Sequence, residues 1–252
     1  MQDPWFNLRQ FTQARIAQGR VGCAIPTSAH LDFQLAQAMA RDAVHQAWDI
    51  ENFAESIAHQ GLQSLKLSTQ VSNRVEYLQK PDLGRCLNQK SIDLLSSLPR
   101  QSIDVTVIVS NGLSSMAVHN HGLTLLMTAI ETYKMSGFNL SPICLVPNAR
   151  VALMDEIGER LKARLAVIIL GERPGLSAAD SLGIYMTYAP KHGNTDADRN
   201  CLSNIRPPEG MSYSTAAAKL LYLTQQALER GLSGVELKDD MPSHILDSAN
   251  KI

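Results

Sequence analysis

The chain has no excess of charge of either sign. It carries 23 basic and 24 acidic residues among 252, which speaks against a general nucleic-acid binder, where positive charge concentrates. It has no C-x-x-C: Cys23, Cys86, Cys144 and Cys201 lie far apart, so neither a local zinc knuckle nor a dithiol redox motif is present. None of the seven histidines falls in H-E-x-x-H or D-x-H-x-x-G. No run reaches the roughly 18 apolar residues of a membrane-spanning helix. The opening stretch, MQDPWFNLRQF, shows no basic-then-apolar signal segment. These absences leave a soluble, reducing-compartment protein as the expectation. At 44% hydrophobic, it has enough apolar material for one sizeable α/β core with a smaller attachment, at about 100–200 residues per domain.

Helical periodicity dominates residues 1–100. Leu31, Leu35, Ala38, Met39, Asp42 and Ala43 repeat at about 3.6 residues, with Thr27 or Ser28 placed to cap the helix. A short helix is expected before it, ending near Gly19. Another is expected from about Asn52 to Gln60, stopped by Gly61. Pro81 is placed in the first turn of a helix running through Leu87, with Asp82 near its positive end. Only a short strand near Leu65–Leu67 is expected here. From Asp104 the pattern alternates. VTVIVS, PICLVPN, LAVIIL and GIYMTYA read as strands, and SGVELK as a last short one. Helices are expected from Ser115 to near Ser136, over VALMDEIGERLKA, and from Ser212 to Glu229. Near-continuous apolar strands between amphipathic helices predict an α/β fold with a mostly parallel sheet covered on both faces. The division is then a mainly helical region, 1–100, and a sheet domain, 101–252. The tail DDMPSHILDSANKI is expected to fray.

Three loops are candidates for chemistry. Ser110–Ser114 follows the first long strand. It lacks the three-glycine dinucleotide fingerprint. It can hold an anion or amide at a helix start, or serve only as a turn with Ser114 as cap. Gly171–Gly175 follows a buried strand, and Glu172 there is either a ligand acceptor or half of an exposed Glu172–Arg173 pair. The stretch Thr195–Arg206 holds Asp196, Asp198 and Cys201. Two carboxylates two residues apart make a weak metal site. Cys201 has no evident base nearby, since His192 is nine residues back, and it reads equally well as a small polarizable pocket wall. Cys144, in SPICLV, reads as a core residue.

Several stretches resemble the small (light) subunit of ethanolamine ammonia-lyase: FTQARIAQGRVG, FQLAQAMARDAVH, EYLQKPDLGRCL, VIVSNGLSSMAV, DEIGERLKARLAVIILGERPGLSAADSLGIYMTYAP, TDADRNCLSNIRPPEG with AAAKLL, and GLSGVELK. They run in family order from about residue 8 to 238. GERPGL followed by DRNCLSNIR is the most specific pair. The resemblance implies an adenosylcobalamin-dependent lyase that converts ethanolamine to acetaldehyde and ammonia. It implies a Rossmann-like sheet in this chain, gripping the lower face and nucleotide tail of the corrinoid. It implies a large TIM-barrel partner subunit carrying the substrate and the radical chemistry, in a six-plus-six assembly. The cofactor is expected base-on, with its dimethylbenzimidazole on cobalt, in keeping with the missing D-x-H-x-x-G. By the family pattern the cofactor contacts fall on Val151, Glu172 and Cys201. No catalytic acid, base or metal ligand is expected in this chain. The match begins almost at residue 1, so the N-terminal extension that directs some enteric members into a protein-shelled microcompartment is not expected. The expected location is the cytoplasm, with encapsulation through the large partner as the alternative.

Two other readings compete. A stand-alone nicotinamide or flavin oxidoreductase would want a compact glycine fingerprint, which SNGLSS does not supply. A ligand-free structural subunit would be indifferent to changes in the strand-end loops.

Overall fold

The computed structural model describes residues 3–242, so most of the tail expected to fray lies outside the described residues. In chain order the helices of the first region are α1 (Thr27–His45), α2 (Ile50–His59), α3 (Arg74–Gln79) and α4 (Gln89–Ser97), with strand β1 (Ser64–Lys66) after α2. Side-chain caps set the starts of the last three helices. Asp49 accepts from Asn52 N at 3.0 Å, Asn73 from Glu76 N at 3.0 Å, and Asn88 from Ser91 N at 2.9 Å. Then follow β2 (Val105–Ser110), α5 (Ser115–Ala117), a π-helical turn Val118–Gly122, and α6 (Leu123–Met135). The remainder is β3 (Ile143–Leu145), α7 (Leu153–Leu161), β4 (Leu165–Gly171), β5 (Leu182–Tyr188), β6 (Asn200–Ile205) and α8 (Tyr213–Arg230).

The strands form one six-stranded sheet in the order β1-β3-β2-β4-β5-β6. The pairings β1–β3, β3–β2 and β2–β4 are parallel, and β4–β5 and β5–β6 antiparallel. The reason is connection length. A helix separates β2 from β3 and β3 from β4, whereas residues 172–181 form too short a link for a crossover, so β5 must return as a hairpin. Alternation along β2 and β4 divides the core. Val105, Val107, Val109, Leu165, Val167 and Ile169 face α2, α6 and α8. Ile108, Ala166, Ile168 and Leu170 face α7 and α4. At about 1.5–3 kcal/mol for each large buried aliphatic side chain, these two faces dominate stability. Between α6 and α8 the buried Tyr133 hydroxyl meets Thr224 Oγ1 at 2.8 Å, satisfying both polar groups inside the apolar layer. Cys144 is fully buried, and burial pushes its thiol up to about 12.

Several local expectations need correction. The stretch before α1 holds a 3-10 helix, Phe6–Phe11, and no helix reaching Gly19. Gly19 and Ala17 take positive φ, which an α-helix does not tolerate. α1 begins after Pro26 with Thr27 already helical, and neither Thr27 nor Ser28 caps it. Pro81–Arg85 is a 3-10 turn between α3 and α4, two helices the sequence pattern did not reveal. SGVELK is no strand. Its backbone is claimed by one side chain instead: Gly234 N donates to Asn200 Oδ1 at 2.7 Å, and Asn200 Nδ2 donates to the carbonyls of Gly234 and Leu237. Residues 234–236 close into a 3-10 turn. In return, the loop Thr195–Arg206 contains β6. Finally, α1 is helical as its periodicity predicts, yet Leu31, Leu35 and Met39 on that stripe are exposed.

Candidate functional site at the sheet switch point

The chain leaves β2 toward β3 on one side, then crosses back to β4 on the other. The carboxyl ends of β2 and β4 therefore form the point where the winding reverses, and open α/β sheets bind ligands at that crevice. Two glycines let the loops meet there. Leu113 N donates to Gly171 O at 2.9 Å. Gly112 has φ +50°, and a Cβ on it would overlap the Gly171 carbonyl oxygen, while a Cβ on Gly171 would overlap the Ser114 carbonyl oxygen. The β2 loop is pinned by its own polar side chains. Asn111 Oδ1 accepts from Asn148 N at 2.7 Å, Ser110 Oγ accepts from Ala149 N at 3.0 Å, and Ser114 caps α5 through Ala117 N at 3.1 Å. Ser110–Ser114 thus braces the site, with Leu113 alone of its residues at the surface of the cleft described next.

The crevice opens into a cleft of about 420 Å³, walled by Leu113, Leu170, Tyr185 and Tyr77 and by the backbone runs 149–151 and 171–173. A second cleft of about 400 Å³ shares Arg150 and Val151 with it and runs past Arg85, Asn194, Asp196 and Arg199. Val151 and Glu172 therefore line one cleft, and Val151 sits at its junction with the next. Cys201 is not on either wall. It is exposed on β6, directly opposite Tyr185 in the β5–β6 register, and so stands beside the residue that forms part of the wall.

Glu172 forms no ion pair with Arg173 among the described residues. Its carboxylate instead accepts from Ser181 Oγ at 2.6 Å, from Ser203 Oγ, and from Asn204 N at 3.1 Å. One side chain so ties the 172–181 loop to the end of β6. Asp180 makes a parallel tie from the other end of that loop. It accepts from Arg206 Nε at 3.1 Å and Asn120 Nδ2 at 3.2 Å and meets His121 Nε2 at 3.2 Å, while His121 Nδ1 meets the Tyr213 hydroxyl at 2.7 Å. Partial burial raises the Asp180 carboxyl, but those three neighbours outweigh it and hold it below the ordinary aspartate range. Burial pushes the Cys201 thiol up; the Tyr185 hydroxyl opposes this and Glu172 adds to it. The Tyr185 hydroxyl is likewise raised, first by burial and then by Cys201. Both shifts favour the protonated forms, so the surroundings give Cys201 no thiolate activation.

Asp198 closes a capping box with Thr195, Asp196 pairs with Arg199 at 2.7 Å, and no cluster fit to hold a metal ion occurs among the described residues. Buried Arg199 also pairs with Asp155 of α7, whose carboxyl burial pushes up against the pull of that guanidinium.

The sequence reading passed over Tyr77, Arg74, Arg150 and Tyr185. Tyr77 and Arg74 come from α3, remote in sequence from the sheet. Arg74 donates to the carbonyls of Val44, Gly112 and Leu113 and to Asn148 Oδ1, holding the two strand-end loops together. Arg150 had a signal available, since it follows PICLVPNA and precedes Val151. No helix among the described residues is long and apolar enough to cross a membrane.

Comparison with known proteins agrees with the order of these motifs. The family model described as ethanolamine ammonia-lyase light chain matches residues 2–238. An ethanolamine ammonia-lyase small subunit of Pseudomonas putida (strain W619) is 50% identical, covering 99% of this chain and 92% of the relative. The Azotobacter vinelandii (strain DJ / ATCC BAA-1303) small subunit is 49% identical over 98% of this chain and 93% of its own length.

Proposed function

The chain belongs to the ethanolamine ammonia-lyase light-chain family, and on that premise we propose that it acts as the small subunit, holding adenosylcobalamin against a large subunit in which ethanolamine becomes acetaldehyde and ammonia. The observation that carries this reading is the convergence of Val151 and Glu172 on one cleft at the switch point, with Cys201 the cross-strand neighbour of Tyr185 in its wall.

The residues fit the group. A corrin is flat, apolar on its faces and fringed by neutral amides. The cleft offers apolar Leu113, Val151 and Leu170 and the Tyr185 ring. A corrinoid is larger than either cleft, and both are open on one side, so a second protein surface is needed to close over it. That surface would be the large subunit. Among the described residues, most of the exposed large apolar side chains lie between Trp5 and Met39, in the stretch before α1 and on α1, as an interface for a permanent partner requires. An assembly of six chains of each kind follows from the same reading.

When bound, the cofactor supplies homolysis of its cobalt–carbon bond. This chain's residues hold and shield. Glu172 locks the hairpin loop to β6, Gly112 and Gly171 let the loops close up, and Val151 and Leu170 exclude water from the ring face. The Cys201 and Tyr185 groups favour their neutral forms, which suits a holding role. The cleft-lining residues include no histidine to displace dimethylbenzimidazole, in keeping with a base-on cofactor.

The test is reconstitution. Purified chain alone should not deaminate ethanolamine, and adding the large subunit with adenosylcobalamin should give activity. Turnover by the lone chain, free of large subunit, would overturn this division of labour.

A further inference from the structure

Arg150 is the side chain both clefts share, along with Val151, and it is held without a counter-charge. Its guanidinium lies 4.2 Å from the centroid of the Tyr77 ring. Its Nη2 donates to Tyr77 O at 3.1 Å, its backbone N to Gly84 O at 2.8 Å, and the Tyr77 hydroxyl donates to Ala149 O at 3.1 Å. Gly84 is packed against it so closely that a Cβ there would stand 3.0 Å from Arg150 Cγ. The group is therefore preorganised. Yet among the described residues it forms no ion pair, its Nη1 has no acceptor, and its buried Nε has no partner.

The surroundings do not neutralise it. Arg74 stacks on the same ring at 4.9 Å and binds carbonyl and amide oxygens only. Burial lowers its pKa; Tyr77 opposes this, and the neighbouring Arg150 charge adds to the lowering. The carboxylates on the cleft walls are committed elsewhere: Glu172 to Ser181, Ser203 and Asn204, and Asp196 to Arg199. Arg85, also on the second wall, has Asp82 at 3.4 Å. Two guanidinium groups share one aromatic ring with no carboxylate between them. Such a pair calls for an anion, and arginine's planar fork suits a phosphoryl group.

We propose that Arg150 receives the phosphodiester of the corrinoid's nucleotide tail at the junction of the two clefts. This deepens the cofactor-holding reading and rests on it. The amides around the corrin are neutral, whereas the phosphodiester is the anionic group of the tail, so a lone guanidinium discriminates between ligands with and without it.

The experiment uses the assembled complex and absorbance titration of two ligands. One is cyanocobalamin. The other is cyanoaquacobinamide, which keeps the corrin but lacks the phosphodiester, ribose and base. Arg150→Met keeps the stacked aliphatic length and removes the charge; Arg150→Lys keeps a charge without the fork. The Met variant should bind cyanocobalamin about ten- to a hundred-fold more weakly while cobinamide stays within about threefold, and the Lys variant should fall between. Equal losses for both ligands would reduce Arg150 to a shaping residue and overturn the proposal, as would unchanged binding of both. A wild-type complex that binds neither ligand would sink the cofactor-holding reading first, a result distinct from either loss.

Discussion

Leu113 N donates to Gly171 O at 2.9 Å across the switch point, and that contact joins the β2 loop to the end of β4 more closely than any residue with a side chain at 112 or 171 would allow. At both glycines a Cβ would strike backbone, which has no flexible end to swing away.

Gly171→Ala is therefore expected to cost about 1–3 kcal/mol through overpacking, and Gly112→Ala a similar amount through its positive φ as well. Urea unfolding should show a lowered midpoint with an unchanged slope. Corrinoid affinity of the complex should fall alongside, because the loops that line the cleft are pushed apart. Wild-type stability in the Gly171→Ala chain would mean that the loops are not as close as described.

Glu172→Gln keeps the shape and removes the charge from three hydrogen bonds. Each charge-assisted bond is worth roughly 1.5–3 kcal/mol. Its amide also presents a donor where the carboxylate presented an acceptor to Ser181, Ser203 and Asn204. Cobalamin affinity of the complex should drop about ten- to a hundred-fold, with turnover at saturating cofactor less affected. Activity titrated against cofactor checks this, and equal half-saturation in both proteins would refute it.

Cys201→Ser should leave activity at saturating cofactor within about tenfold, equivalent to ~1.4 kcal/mol, because burial favours the protonated thiol and Cys201 lies opposite Tyr185, outside the cleft lining. Cys201→Ala should be as mild. Cys201→Phe should displace the Tyr185 ring and block cofactor entry. A loss of several orders of magnitude in the Ser variant, with assembly and cobalamin occupancy intact, would show that the thiol does chemistry.

The Asp180 carboxyl sits below its ordinary value near 3.8 in the folded chain. A depressed acid stabilises the fold above the unfolded-state value and loses that contribution as pH falls through the folded one. Stability of the wild type should thus decline below about pH 4, and Asp180→Asn should lack that part of the decline while being less stable at neutral pH. Thermal unfolding from pH 7 down to 3 measures both. Parallel pH profiles for the two proteins would remove Asp180 from the linkage.

Local patterns in the sequence determined the strands β2 to β5, the long helices, the buried Cys144 and the family. Each of these depends on apolar runs, helical periodicity, or short motifs held in order, and those are written along the chain. Val151, Glu172 and Cys201 were named through the family motifs; the fold brings Val151 and Glu172 to one cleft and puts Cys201 within β6, opposite Tyr185. Other features arise only when distant segments meet. The antiparallel return of β5 follows from a link too short to cross the sheet. SGVELK is kept out of the sheet because Asn200, 34 residues away, takes its backbone bonds. In sequence Glu172 was either a ligand acceptor or half of a pair with Arg173; folding gives it Ser181, Ser203 and Asn204 instead of Arg173. Arg74 and Tyr77 reach the site from α3, where no one-dimensional pattern marks them. Arg150 could be named from its strand end; only the fold shows that it stacks on Tyr77 and has no counter-charge.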